Sequence, residues 1–147
     1  MSLRVYLACT VRGDRGGVIA GRTIRDRLLA AGHEVLTGHL LADDVEATES
    51  RLSAADVYRR DLEWLTSCDL LVAEASGSSY GVGFEVGYVL ARAAATGQRV
   101  VLVYSEARQD AVSRLISGNC DPHCTTYAYA SMEALGAFID RECGAAT

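Results

Sequence analysis

Proline is almost missing from this chain: of 147 residues only Pro122 is one. That leaves no proline-rich linker, and no low-complexity tract or internal repeat interrupts the sequence. A basic excess is missing too. Fourteen Lys and Arg against nineteen Asp and Glu give a formal net charge of −5, which argues against a nucleic-acid partner, since such partners demand a clustered basic face. No apolar run approaches the ~20 residues of a membrane span, and the opening MSLRVYLACT is short and strand-like, unlike a signal peptide. Five cysteines is an odd number, which argues against a disulfide framework and for reduced, mostly buried thiols in a cytoplasmic protein.

Nucleotide fingerprints are missing as well. No G-K-[ST] occurs anywhere, and the glycine-rich stretch Gly77–Gly87 (GSSYGVGFEVG) holds no lysine, so there is no Walker loop. Gly81 and Gly83 begin a G-x-G, but Gly87 stands one position too late for G-x-G-x-x-G.

What the chain has is a half-hydrophobic composition and a regular alternation of short β-rich runs with longer helical ones. Strands are expected at Leu3–Ala8, His33–Thr37, Leu70–Ala75, Val100–Tyr104 and, weakly, Thr125–Tyr129. Helices are expected at Val18–Ala31, from the Ser53–Asp56 capping box onward, after the glycine stretch, near Asp110–Ser117, and from Ser131 to Cys143. His39–Leu52 is polar and acidic and reads as a functional loop. Near-continuous apolar strands imply cover on both faces. The expectation is one α/β domain over residues 1–147: a doubly wound, Rossmann-like or flavodoxin-like five-stranded parallel sheet with helices on both faces. Ligands in such folds bind beyond the strand carboxyl ends, which singles out the loops at Cys9–Gly17, Thr37–Leu52 and Ser76–Gly83.

Two carboxylates stand out. Glu85 is the only acid of an apolar helix (FEVGYVLARAAATG) that should be covered; placed in its first turn, it would meet the positive end of the helix dipole. Asp61 falls on one stripe with Val57, Trp64 and Leu65, the face that should meet the core. Plain alternatives stay open: a strand-to-helix turn for the glycines, a dipole partner for Glu85, and for Asp61 an ion pair with Arg12 or another arginine. Paired carboxylates at one crevice suit glycosyl chemistry, in which a nucleophile attacks the anomeric carbon and an acid assists the leaving group. The loop can then hold a 5′-phosphate as a remote handle while Glu85 reaches C1′ of the same sugar.

The segments VYLACTVRG, VLTGH, RDLEWL and VAEASGSSYGVGFEVG, in that order, resemble the 2′-deoxynucleoside 5′-monophosphate N-glycosidases of the nucleoside 2-deoxyribosyltransferase superfamily. The resemblance implies Glu85 as nucleophile, Asp61 as the carboxylate that assists the departing base, and Tyr6 as a hydroxyl at the nucleophile that crowds the sugar's 2′ side. It places Thr10, Arg12, Gly13, Ser79 and Gly81 at the phosphate and His39 in the pocket. Ser113 is implied to be lent by the partner subunit of a homodimer. No cofactor and no metal is implied; CDPHC (Cys120–Cys124) fits no complete zinc ligand set. Where the family has a Gly-Ser pair after the first strand, Cys9-Thr10 stands here. The expected activity is hydrolysis of 2′-deoxynucleoside 5′-monophosphates to free base and 2-deoxyribose 5-phosphate. A deoxyribosyltransferase, a ribonucleotide N-glycosidase of an antibiotic pathway and a nucleotide-binding sensor are the rivals.

Overall fold

A computed structural model describes residues 1–10 and 17–144. Five strands, β1 (Arg4–Ala8), β2 (Glu34–Val35), β3 (Leu70–Glu74), β4 (Arg99–Ser105) and β5 (Cys124–Tyr129), form one sheet in the order β2-β1-β3-β4-β5. All four pairings are parallel, the flavodoxin-like order of a doubly wound sheet. Six helices connect or follow them: α1 (Val18–Ala30), α2 (Val45–Glu49), α3 (Ala54–Ser67), α4 (Tyr80–Thr96), α5 (Arg114–Ser117) and α6 (Met132–Cys143).

The period of two in each strand divides the core. Val5, Leu7, Leu70, Val72, Val101 and Val103 face α1 and α6, where Ile24, Leu28, Leu135, Phe138 and Ile139 cover them. Tyr6, Ala8, Leu71, Ala73, Val100 and Leu102 face the other way, under Leu65 of α3 and Val82, Val86 and Val89 of α4. Tyr6 thus points to the side of the sheet on which α3 and α4 lie. α4 stops at Gly97, whose φ of 75° is the left-handed conformation that glycine adopts without a Cβ clash. α3 starts as its sequence demands, with Ser53 and Asp56 capping each other's backbone N–H groups.

Four expectations need correction. β2 is two residues long rather than His33–Thr37, because side chains take over the ladder: Thr37 Oγ1 accepts from Leu7 N at 2.9 Å, and His33 Nδ1 accepts from Leu3 N at 3.2 Å. The segment expected as an open loop holds a 3-10 turn, Gly38–Leu41, and α2, pinned by buried Leu40, Leu41 and Val45. The helix near Asp110–Ser117 is a 3-10 turn, Glu106–Ala111, and the one-turn α5, divided where Val112 turns into the core and Ser113 caps α5. Finally, α4 is not covered all round: Tyr80 and Phe84 lie exposed on its outer side.

Candidate active site

The strand order reverses between β1 and β3, and there the carboxyl ends diverge. A crevice of about 710 Å³ opens at that point. Ala8 and Cys9 end β1 on its floor, residues from Leu40 to Asp61 form one wall, and Ser78 to Val82 with Glu85 form the other.

α4 builds the second wall from its own N-terminus. Ser79 caps the helix, its Oγ accepting from Val82 N at 3.2 Å, and this leaves the hydroxyl proton free to donate to an anion. Helical structure begins at Tyr80, so Gly81, Gly83 and Gly87 lie within α4 rather than in a preceding loop. For the same reason Glu85 is not in the first turn, and the helix dipole, which fades within that turn, does not govern it.

Burial governs Glu85 instead. Its carboxyl is pushed up to about 7, chiefly by desolvation; Tyr6 opposes the shift with a hydrogen bond, and the neighbouring charge of Asp61 reinforces it. Tyr6, fully buried in β1, donates from its hydroxyl to Glu85 Oε1 at 2.7 Å. Burial, Glu85 and Asp61 raise the Tyr6 phenol in turn, so it stays a neutral donor.

Asp61 turns out to face the crevice. Within the stripe that contains it only Leu65 is fully buried, while Val57 and Asp61 line the cavity. Its partner is Arg60, whose Nε lies 2.9 Å from Oδ1. Burial still raises the Asp61 carboxyl above its usual range, against the pull of Arg60. Arg60 also grips Glu49 with both terminal nitrogens, at 2.9 and 3.1 Å. Glu49 is almost buried, and its hydrogen bonds from Arg60 hold it below the ordinary carboxylate range. His39 Nε2 reaches Glu49 Oε1 at 3.2 Å, and its ring meets Trp64 edge-on. His39 therefore meets the site through Glu49.

Tyr6, Asp61, Ser79, Gly81 and Glu85 are thus brought together. Thr10 lies just past β1, buried, with no hydrogen-bond partner for Oγ1 among the described residues. Arg12 and Gly13 lie outside the described residues. Ser113 does not line this crevice. It borders a second cavity of about 810 Å³ between α4 and the stretch from Ala111 to Asn119, with Val82, Val86, Leu90, Val112 and Leu115. Glu49 carried no sequence signal, and the arginine left open as a partner for Asp61 is Arg60. Adjacent residues on a helix do not normally face each other, which hides the Arg60–Asp61 pair, and Glu49 sits in a helix of five residues.

With this geometry in view, comparisons with known proteins agree in one direction. Residues 5–133 match the family model described as nucleoside 2-deoxyribosyltransferase. A Thermofilum pendens protein whose name is that of a 2′-deoxynucleoside 5′-phosphate N-hydrolase is 36% identical over 131 residues, 89% of this chain and 88% of its own. The 5-hydroxymethyl-dUMP N-hydrolase of Danio rerio is 32% identical over 117 residues, covering 79% of this chain and 78% of its own. Among solved structures, a CMP N-glycosidase of Clostridium botulinum superposes with a TM-score of 0.64 at 21% identity, over 94% of this chain and 98% of its own; it shares the fold.

Proposed function

Because the chain belongs to the nucleoside 2-deoxyribosyltransferase family, we propose that it is an N-glycosidase that hydrolyses 2′-deoxynucleoside 5′-monophosphates to free base and 2-deoxyribose 5-phosphate. One observation carries the reading: the Tyr6–Glu85 hydrogen bond holds a half-buried carboxylate in the same crevice wall as the amino end of α4, across from Asp61. A phosphate on Ser79 and the first N–H groups of α4 would set C1′ against Glu85.

The steps follow from that placement. An ionised Glu85 oxygen attacks C1′ as the C1′–N bond breaks, and the proton of Asp61 goes to the departing base. Water then attacks C1′ of the glycosyl ester; Asp61 takes its proton and Glu85 leaves as carboxylate. Tyr6 holds Glu85 in place and fills the space beside it, which favours a sugar without a 2′-hydroxyl. Thr10, Arg12, Gly13 and Ser79 are assigned to the phosphate and His39 to support of the base-side wall.

The reading includes a cytoplasmic homodimer. The apolar second cavity and the exposed Tyr80 and Leu115 beside it support a twofold contact that brings Ser113 to a neighbour's phosphate. Across the described residues no helix is long and apolar enough to cross a membrane. The test is incubation with each common deoxyribo- and ribonucleoside monophosphate, with and without an acceptor base. Free base and 2-deoxyribose 5-phosphate should appear from deoxyribonucleotides without an acceptor. Base release that depends on an acceptor overturns hydrolysis in favour of transfer, and no release from any nucleotide overturns the enzyme.

A further inference from the structure

Arg60 divides one positive charge between two carboxylates. Its Nε and one terminal nitrogen reach the same oxygen of Asp61, Oδ1, each at 2.9 Å. Its two terminal nitrogens also hold the two oxygens of Glu49 at 2.9 and 3.1 Å, in the side-by-side geometry that makes guanidinium–carboxylate pairs strong. Arg60 lies 4.9 Å over the Trp64 ring, which keeps the guanidinium plane in place. Three charged groups meet where Glu49 is only 7% exposed, and they carry one negative charge too many.

Such a cluster relieves itself by taking up one proton. Glu49, held at both oxygens and further bonded to His39, is the carboxylate that keeps its charge. Asp61 is held at one oxygen only, which leaves Oδ2 to carry the proton. We propose that Glu49, acting through Arg60, is a positioning residue that keeps Asp61 supplied with the proton it gives to the departing base. Glu49 engages both terminal nitrogens of Arg60, so the guanidinium orients Asp61 without fixing it in the ionised form.

The other groups around Asp61 are accounted for. Tyr6 from β1 is a neutral phenol, Glu85 from α4 is a second carboxyl, and His39 from the 3-10 turn donates to Glu49. The charge of Glu49 raises the Asp61 carboxyl, whereas Arg60 and His39 lower it. The two neighbours of the relay therefore act on Asp61 with opposite sign.

This inference rests on the role of Asp61 under the proposed function, and its test separates the two. Asp61 is titrated by carboxyl carbon NMR in an E85Q background, which removes the coupled carboxylate without requiring turnover. E49Q should shift the Asp61 titration down and R60Q should shift it up, each by about one pH unit. In the active enzyme, E49Q should lower kcat on a natural deoxynucleotide about tenfold with KM unchanged. It should leave a substrate with an activated leaving group, 4-nitrophenyl 2-deoxyriboside 5-phosphate, at its original rate, and add nothing to D61N. An E49Q variant that raises KM at constant kcat, slows both substrates alike, or leaves the Asp61 titration where it was overturns the relay. A wild-type protein that releases no base from any nucleotide overturns the proposed function instead, whatever the titration shows.

Discussion

The hydroxyl of Tyr6 donates to Glu85 Oε1 across the gap between β1 and α4, at 2.7 Å. Two residues 79 positions apart are joined because β1 lies directly under the α3–α4 layer. That hydrogen bond favours the ionised carboxylate, against a burial that opposes it. Y6F should therefore raise the Glu85 pKa and lower kcat/KM at neutral pH by about ten- to a hundredfold. The deficit should narrow as pH climbs above 8 and Glu85 ionises in the variant as well. A deficit of constant size across the pH range shows that Tyr6 acts by shape alone.

Burial of Glu85 also makes stability depend on pH. Its folded value of about 7 exceeds the ordinary 4.5, so between the two the folded state holds the proton that the unfolded state has lost. Stability from this group is complete below about 4.5 and declines as pH rises through 7. E85Q, which keeps an acceptor for Tyr6, should unfold like wild type at pH 4. At pH 8 it should be more stable, by up to roughly 3 kcal/mol, as urea denaturation at the two pH values will measure.

Thr10 offers a test in which stability and function move oppositely. Its Oγ1 is buried without a hydrogen-bond partner among the described residues, a loss of about 1–3 kcal/mol relative to a satisfied hydroxyl. T10V should hold or raise the melting temperature while raising KM for a deoxynucleoside monophosphate. KM for the deoxynucleoside that lacks the phosphate should stay unchanged. Equal effects on both substrates remove Thr10 from the phosphate site.

The assignment of Ser113 to a neighbour's site is tested by mixing. S113A should raise KM and leave the dimer intact, the loss of one hydroxyl on a phosphate amounting to about 1.5–3 kcal/mol. Mixed with inactive E85A chains, S113A chains should regain wild-type affinity in part of the population, since one site of each heterodimer holds Glu85 and a borrowed Ser113. A mixture with only the raised KM, or a wild-type monomer that is fully active at assay concentration, excludes the shared site.

Much of this was legible in the chain before any coordinates. Near-continuous apolar strands interleaved with helices pointed to the parallel sheet, and the Ser53–Asp56 box to the start of α3. Asp61 and Glu85 announced themselves as acids where apolar residues were due. What the sequence hid depends on contacts rather than on period. β2 is short because Thr37 and His33 bond through side chains, which no hydrophobic pattern encodes. The apolar composition of α4 suggested full cover, yet hydrophobicity reports only that a face is suited to burial, and Phe84 remains 56% exposed. Glu49 looked like one more acid in an acidic stretch until Arg60, eleven residues on, was found gripping both its oxygens.

The crevice is assembled unevenly. Leu40, Glu49, Ser50, Leu52, Ala54 and Val57, the residues ahead of the acid at Asp61, come from one uninterrupted stretch of chain, whereas Glu85 and Ser79 come from another. The wall that runs up to Asp61 and the wall that holds Glu85 are therefore carried on separate pieces of peptide. Exchanging residues 40–57 for a relative's would rebuild one wall of the crevice and leave Ser79 and Glu85 on the other untouched.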